Sequence, residues 1–173
     1  MIEIESLSKQ LGAALLDKSW TVTTAESCTG GGISQAITAI SGSSSYFDCA
    51  FITYSNNAKQ LLVNVQSETL EKYGAVSEQT VIEMAQGAVN AANAQVGISV
   101  SGVAGPGGGS KDKPVGTVWI AVFIQYLLDE KIIKHSKTQV FCFDGDRNDV
   151  RESTIKASLN MALESVLEIN LKK

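Results

Sequence analysis

Read as apolar against polar positions, the chain switches repeatedly between a helical period and a strand period. Ile4, Leu7, Leu11 and Leu15 recur at helical spacing and predict an amphipathic helix over 3–18. Trp20-Thr21-Val22-Thr23-Thr24 is rich in β-branched residues and reads as a strand. Beyond a run of glycines, Ile33, Ile37 and Ile40 restore the helical period and predict a helix over 30–41. Ser41-Gly42-Ser43-Ser44-Ser45 is a turn-rich connection, and 49–54 reads as a second strand. Ser55 is placed to cap a short helix, and Ser77 a longer one whose buried face carries Val81, Met84, Ala85, Ala88 and Ala92.

The second half continues the alternation. Residues 95–100 form a buried strand that opens into the glycine-rich segment 101–110. Strands over 116–125 and 132–143 flank the polar pair Asp129-Glu130 and predict a hairpin. A last helix over 147–169 buries Ile155, Leu159, Ala162, Val166 and Ile169. Helices alternate with strands except at the hairpin. That order predicts a three-layer α/β/α fold with a mixed sheet of about five strands. No linker or internal repeat interrupts the pattern, so the expectation is a single domain over 1–173.

Composition narrows the class. With 173 residues, 44% of them hydrophobic, the chain can bury a real core. A net charge of -4 and a pI of about 5.0 argue against nucleic acid or an anionic membrane as the main partner. Met1-Ile2-Glu3-Ile4-Glu5 lacks the basic region of a signal peptide. The longest apolar run, around 118–124, falls well short of the roughly 20 residues that span a bilayer. Cys28, Cys49 and Cys142 make an odd count without metal-ligand spacing, which fits a reducing compartment. The expectation is a cytoplasmic protein. A single histidine, His135, excludes a zinc site built on two histidines of one chain, and it lies in the polar run Lys134-His135-Ser136-Lys137. It reads as an exposed strand residue, not as a triad member.

Candidate chemistry concentrates in Thr24-Ala25-Glu26-Ser27-Cys28-Thr29-Gly30-Gly31-Gly32, where a strand feeds a helix. The first backbone N–H groups of a helix have no partner within it, and its dipole favours negative charge there. A tetrahedral oxyanion needs such donors, and glycines admit a substrate close to the backbone. Ser27 or Thr29 acting only as a helix cap explains the same residues, and the turn by itself leaves both open. With histidine set aside, a lysine or a carboxylate remains as the base, and Lys59 is the candidate, since it follows the strand ending at Tyr54. Its pKa would have to fall from about 10.4 towards 7, at a cost of roughly 4 kcal/mol. Tyr54 is placed to relay a proton or to donate to the nucleophile. Cys28 is the rival nucleophile, and residue types alone do not choose between it and Ser27. The glycines at 102–110 lack the spacing of a phosphate-binding P-loop, and Gly30-Gly31-Gly32 lacks that of a dinucleotide fingerprint. A glycine run at the end of a central strand still suits an anion-binding loop better than a featureless surface one.

Six stretches together carry a resemblance. They are Thr24 to Gly31, Tyr54-Ser55-Asn56-Asn57-Ala58-Lys59, Gly74-Ala75-Val76-Ser77, Gly102-Val103-Ala104-Gly105-Pro106, Lys113-Pro114-Val115-Gly116-Thr117-Val118 and Gly145-Asp146-Arg147. In this order and spacing the chain resembles the CinA C-terminal domain family, the bacterial nicotinamide-nucleotide amidohydrolases. The resemblance covers almost the whole chain. It implies hydrolysis of the carboxamide of nicotinamide mononucleotide to nicotinate mononucleotide and ammonia, without metal or cofactor. A mixed-sheet α/β/α fold and a homo-oligomer built from dimers are implied as well. By motif, Ser27 matches the family's nucleophile, Lys59 its base and Tyr54 its active-site tyrosine, while Ser101, Gly105 and Arg147 match its substrate pocket. Ser101 stands where many relatives have threonine, which keeps the hydroxyl. The larger domain that precedes this one in many relatives is not expected here.

On that footing, the backbone N–H groups of Cys28, Thr29 and Gly30 are the expected oxyanion hole, and Gly102 joins the substrate loop. The only two arginines, Arg147 and Arg151, fall in the first turns of the last helix at i,i+4 spacing. Positive charge there opposes the dipole by about 0.3–1 kcal/mol per charge. Arg147 is therefore expected to hold the substrate's 5′-phosphate, with Arg151 in support. Surface pairing with Asp144, Asp146, Asp149 or Glu152 is the plainer expectation. A catalytically silent nucleotide-binding module of a competence complex is the rival function. It would tolerate loss of Ser27 and Lys59, and both are present.

Overall fold

The structure is a computed structural model, and it describes residues 2–170. In chain order the elements are α1 (Ile2–Lys18), β1 (Val22–Glu26), α2 (Gly32–Thr38), β2 (Phe47–Ile52), α3 (Asn56–Val63), α4 (Ser67–Tyr73), α5 (Glu78–Ala92), β3 (Val96–Gly102), β4 (Thr117–Leu128), β5 (Lys131–Cys142) and α6 (Arg147–Glu168). The five strands form one mixed sheet in the order β2-β1-β3-β4-β5. β1 runs parallel to both β2 and β3, whereas β4 is antiparallel to β3 and β5. The expected three-layer fold with its mixed five-stranded sheet is the one observed.

Strand alternation divides the core between two faces. Val96, Ile98 and Val100 of β3, with Val118, Ile120, Val122 and Ile124 of β4, pack under α1, α2 and α6 through Leu11, Leu15, Ile33, Ile37, Leu159 and Val166. On the other face, Ala25, Ala121 and Phe123 meet α5 through Val81, Met84, Ala85 and Ala88. That second face is tight. A Cβ on Gly97 would stand 2.5 Å from the Ala85 carbonyl oxygen. Glycine therefore lets α5 settle directly on the central strand.

Where boundaries differ from the sequence expectation, a polar contact or a backbone conformation explains it. β1 runs on to Glu26, although glutamate is disfavoured in strands, because that carboxylate has partners in α2. α2 starts at Gly32 instead of 30 because Gly30 and Gly31 take left-handed φ values of 59° and 99°. It ends at Thr38. β4 and β5 extend to Leu128 and Lys131, since Asp129 and Glu130 both adopt positive φ in a two-residue hairpin turn. α4 was not expected: its sequence SETLEKY buries only Leu70 and has no apolar period to read.

The carboxyl ends of β1, β2 and β3 lie side by side, with Glu26 in register with both Ile52 and Val100. His135 is paired with Ile124, which faces Val96 at the opposite end of β3. It is exposed and stacks on Tyr126, remote from the serine turn. Among the described residues, no helix is long and apolar enough to cross a membrane, and no group of His, Cys, Asp or Glu is placed to hold a metal ion.

Candidate active site

The serine turn is fixed at both ends by backbone hydrogen bonds. Ser27 N–H donates to the Val100 carbonyl at 3.1 Å, and Gly30 N–H donates to the Ser27 carbonyl at 3.1 Å. Beneath the turn lies Glu26, fully buried. Its carboxylate accepts from Thr29 Oγ1 at 2.7 Å, Thr24 Oγ1 at 3.1 Å, and the N–H groups of Gly31, Ile33 and Ser34 at 2.9, 3.1 and 2.8 Å, as well as from Ser34 Oγ. The positive end of α2 is thus already matched by a carboxylate. Neither Ser27 nor Thr29 caps the helix: the N-cap is Gly31, with no side-chain cap bond. The Cys28 and Thr29 N–H groups have no partner in another described residue, while that of Gly30 is committed within the turn. Sequence reading passed over Glu26. The available signal was an acid ending a strand, followed by a helix with no acid in its first turn.

Lys59 approaches from α3. Ser55 caps that helix, accepting from Ala58 N–H at 3.0 Å, and so sets which residue faces the sheet. Lys59 is only 1% exposed. Its Nζ donates to the Thr53 carbonyl at 2.8 Å and to Ser27 Oγ at 3.2 Å. No carboxylate among the described residues pairs with it. Burial without a counter-charge pulls the Lys59 pKa from 10.5 down to about 8, with Cys28 opposing weakly. The same burial pushes the Cys28 thiol up to about 11. A thiol that stays protonated is a poor nucleophile. Lysine behaves oppositely: the neutral amine that burial favours is a proton acceptor.

A cleft of about 220 Å³ opens beside this pair, lined by Ser27, Lys59, Tyr54, Asn56, Ser101 and Arg147, with Ala75 and Val76 as an apolar wall. Gly102 also lines it, at the end of β3. Arg147 spans the mouth. Its Nη1 donates to the Gly105 carbonyl at 2.7 Å and its Nη2 to the Tyr54 hydroxyl at 3.0 Å. Asp146 and Asp149, two of the acids expected to compete for it, form the capping box of α6 instead. Tyr54 is 60% exposed and its ring is open to a ligand. Arg151 lies elsewhere. Its Nη2 donates to the Thr29 carbonyl at 2.8 Å, and it does not line the cleft. The structure therefore brings together Ser27, Lys59, Tyr54, Ser101, Gly102, Gly105 and Arg147 at the carboxyl ends of the central strands, and it sets Arg151 behind the serine turn. Asn56 and the Ala75-Val76 wall had no role in the sequence reading, although both sit inside its motifs.

A family model described as the CinA C-terminal domain matches residues 4–166. The chain is 52% identical over 165 residues to the nicotinamide-nucleotide amidohydrolase PncC of Enterobacter agglomerans, covering 95% of this chain and 96% of that protein. To the protein of the same name in Escherichia coli (strain K12) it is 47% identical over 166 residues, covering 96% of each. Among solved structures, the competence/damage inducible protein CihA of Agrobacterium tumefaciens superposes with a TM-score of 0.83 at 39% identity, over 95% of this chain and 96% of that one. The chain belongs to the CinA C-terminal domain family.

Proposed function

We propose that the protein is a nicotinamide-nucleotide amidohydrolase that converts the carboxamide of nicotinamide mononucleotide to the carboxylate and releases ammonia. One observation carries the reading: a buried lysine with a lowered pKa stands 3.2 Å from a serine hydroxyl. Neutral Lys59 takes the Ser27 proton as Oγ bonds to the amide carbon. The pyridinium ring draws electrons from that carbon and makes it a better electrophile. The tetrahedral oxyanion is received by the Cys28 and Thr29 N–H groups. Protonated Lys59 then gives its proton to the amide nitrogen, the C–N bond breaks, and ammonia leaves an ester on Ser27. Water attacks that ester, with Lys59 accepting its proton. Collapse of the second tetrahedral intermediate breaks the ester bond, and Lys59 returns the proton to Ser27. Arg147 and Tyr54 hold the 5′-phosphate, and the Ala75-Val76 wall accepts the ring. The proposal includes action as a single domain in the cytoplasm, in a homo-oligomer built from dimers.

Ammonia release from the mononucleotide tests it, read with Ser27→Ala and Cys28→Ala. Ser27→Ala should lose at least about 10³-fold in kcat, while Cys28→Ala should stay within about fivefold of wild type. A folded Cys28→Ala protein without turnover, or a Ser27→Ala protein with normal turnover, overturns the assignment.

A further inference from the structure

Arg151 takes no part in the steps above. It stands one helical turn beyond Arg147 on α6, yet it contacts the back of the serine turn instead of the cleft. Thr29, which is fully buried, is held by three hydrogen bonds, one of them from Gly32 N–H to its carbonyl at 3.2 Å within the turn. Arg151 Nη2 donates to its carbonyl at 2.8 Å, and its hydroxyl donates to Glu26 at 2.7 Å. A residue held at carbonyl and side chain has little freedom left in φ and ψ. Its own N–H and that of Cys28, the two on the turn with no partner in another described residue, are thereby fixed in direction. Arg151 is also costly where it stands. Its Nε is buried without a hydrogen-bond partner among the described residues, and its charge opposes the α6 dipole. A side chain that breaks two local rules marks a site where function outweighs stability.

We propose that Arg151 is a positioning residue for the acylation step: its bond to the Thr29 carbonyl fixes the Cys28–Thr29 N–H pair that receives the oxyanion, and its guanidinium adds positive potential behind that pair. This rests on the serine acyl-transfer reading, but not on the identity of the substrate. A phosphate ligand would instead require Arg151 to turn into the cleft and abandon Thr29. The two roles separate kinetically. Weakened oxyanion binding lowers kcat with KM unchanged, whereas a lost phosphate contact raises KM. Loss of a direct oxyanion donor costs about 10²–10³-fold, so loss of a residue acting through the turn should cost about 10–100-fold.

The decisive measurement is the rate at which a fluorophosphonate labels Ser27. In that reaction Ser27 Oγ bonds to phosphorus, fluoride leaves, the serine proton passes to Lys59, and the phosphoryl oxygen stands in for the oxyanion. Wild type, Arg151→Met and Arg151→Lys are compared from about pH 6 to about pH 10, alongside kcat and KM for the mononucleotide. Arg151→Met should label about 10–100-fold more slowly, with its pH midpoint unmoved because Lys59 is untouched, and its kcat should fall with KM within about twofold. Arg151→Lys, which keeps the charge and one donor, should recover part of the loss. Labelling of Arg151→Met within about twofold of wild type overturns the proposal, as does a raised KM with unchanged kcat. Should Arg151→Met fail to fold, Arg151→Gln replaces it under the same thresholds. Wild type that labels at Ser27 but does not turn over the mononucleotide refutes the substrate and leaves Arg151 to be judged by labelling. Wild type that does not label at all overturns both.

Discussion

Lys59 is placed where an ammonium is least welcome, and its chemistry follows from that. Its pKa of about 8 leaves a usable fraction of neutral amine near neutrality. The rate of amide hydrolysis should therefore rise with pH through about 8 and level off above it. A profile that stays flat across that range, or a midpoint near 6.5, would place the base elsewhere. The same shift has a stability consequence whose sign can be worked out. Between about 8 and 10.5 the unfolded chain holds a proton on Lys59 that the folded chain has lost, so wild-type stability rises with pH across this window. Below about 8 the charged form is held against its preference. The full shift, 10.5 to about 8, corresponds to about 3 kcal/mol. Lys59 lines the cleft, so relaxation and water there reduce that to about 1–2 kcal/mol. The advantage of Lys59→Met over wild type in unfolding free energy should shrink by this amount from pH 8 to pH 10.5, as measured by urea denaturation. A constant difference across the window would show that Lys59 titrates normally.

At the scale of elements, Glu26 joins the strand that leads into Ser27 to the helix that follows it. It takes three backbone N–H groups and three hydroxyls around the start of α2. Glu26→Gln keeps the shape but turns an NH2 towards donors, so it should destabilise the fold by about 2–4 kcal/mol. The urea midpoint should fall with little change in slope, and a loss under about 1 kcal/mol would show that the carboxylate is dispensable. This link was hard to read in the chain, because a lone Glu between Ala25 and Ser27 has no period, and its one signal is an acid at a strand end before a helix without an acid in its first turn. The helices on Leu11 and Leu15 or on Val81, Met84, Ala85 and Ala88 were legible for the opposite reason. Their apolar positions repeat, and each is buried where the period puts it. The hairpin lay between. Asp129-Glu130 marked its turn, but the strand ends were misread, because register continues into exposed Leu127 and Leu128, which no core face selects. α4 had no signal at all beyond one leucine.

Across the whole molecule, the cleft is assembled from five distant parts of the chain: the turn after β1, the β2–α3 connection with the first turn of α3, the α4–α5 connection, the end of β3 with its glycine loop, and the start of α6. Local patterning identifies each part but not their meeting, which follows from three parallel strands ending together. Arg147 closes this assembly. Through Gly105 and Tyr54 it ties α6 to the glycine loop and to the β2–α3 connection. Both acceptors are neutral, so its charge is not cancelled where it stands. A dianionic phosphate would be a far stronger partner for a planar guanidinium than a carbonyl and a phenol. Arg147 should accordingly give up one of these bonds when the mononucleotide binds. Arg147→Lys keeps the charge but supplies one ammonium in place of a fork, and should raise KM for the mononucleotide by about 10-fold with a smaller effect on kcat. Nicotinamide riboside has the same reacting amide without the phosphate, so it should be a poor substrate for wild type and equally poor for the variant. The ratio of kcat/KM between mononucleotide and riboside is thus the quantity to measure, because general damage to the cleft would lower both terms and leave the ratio intact. A ratio near one in wild type, or one that Arg147→Lys leaves unchanged, would remove the phosphate from Arg147.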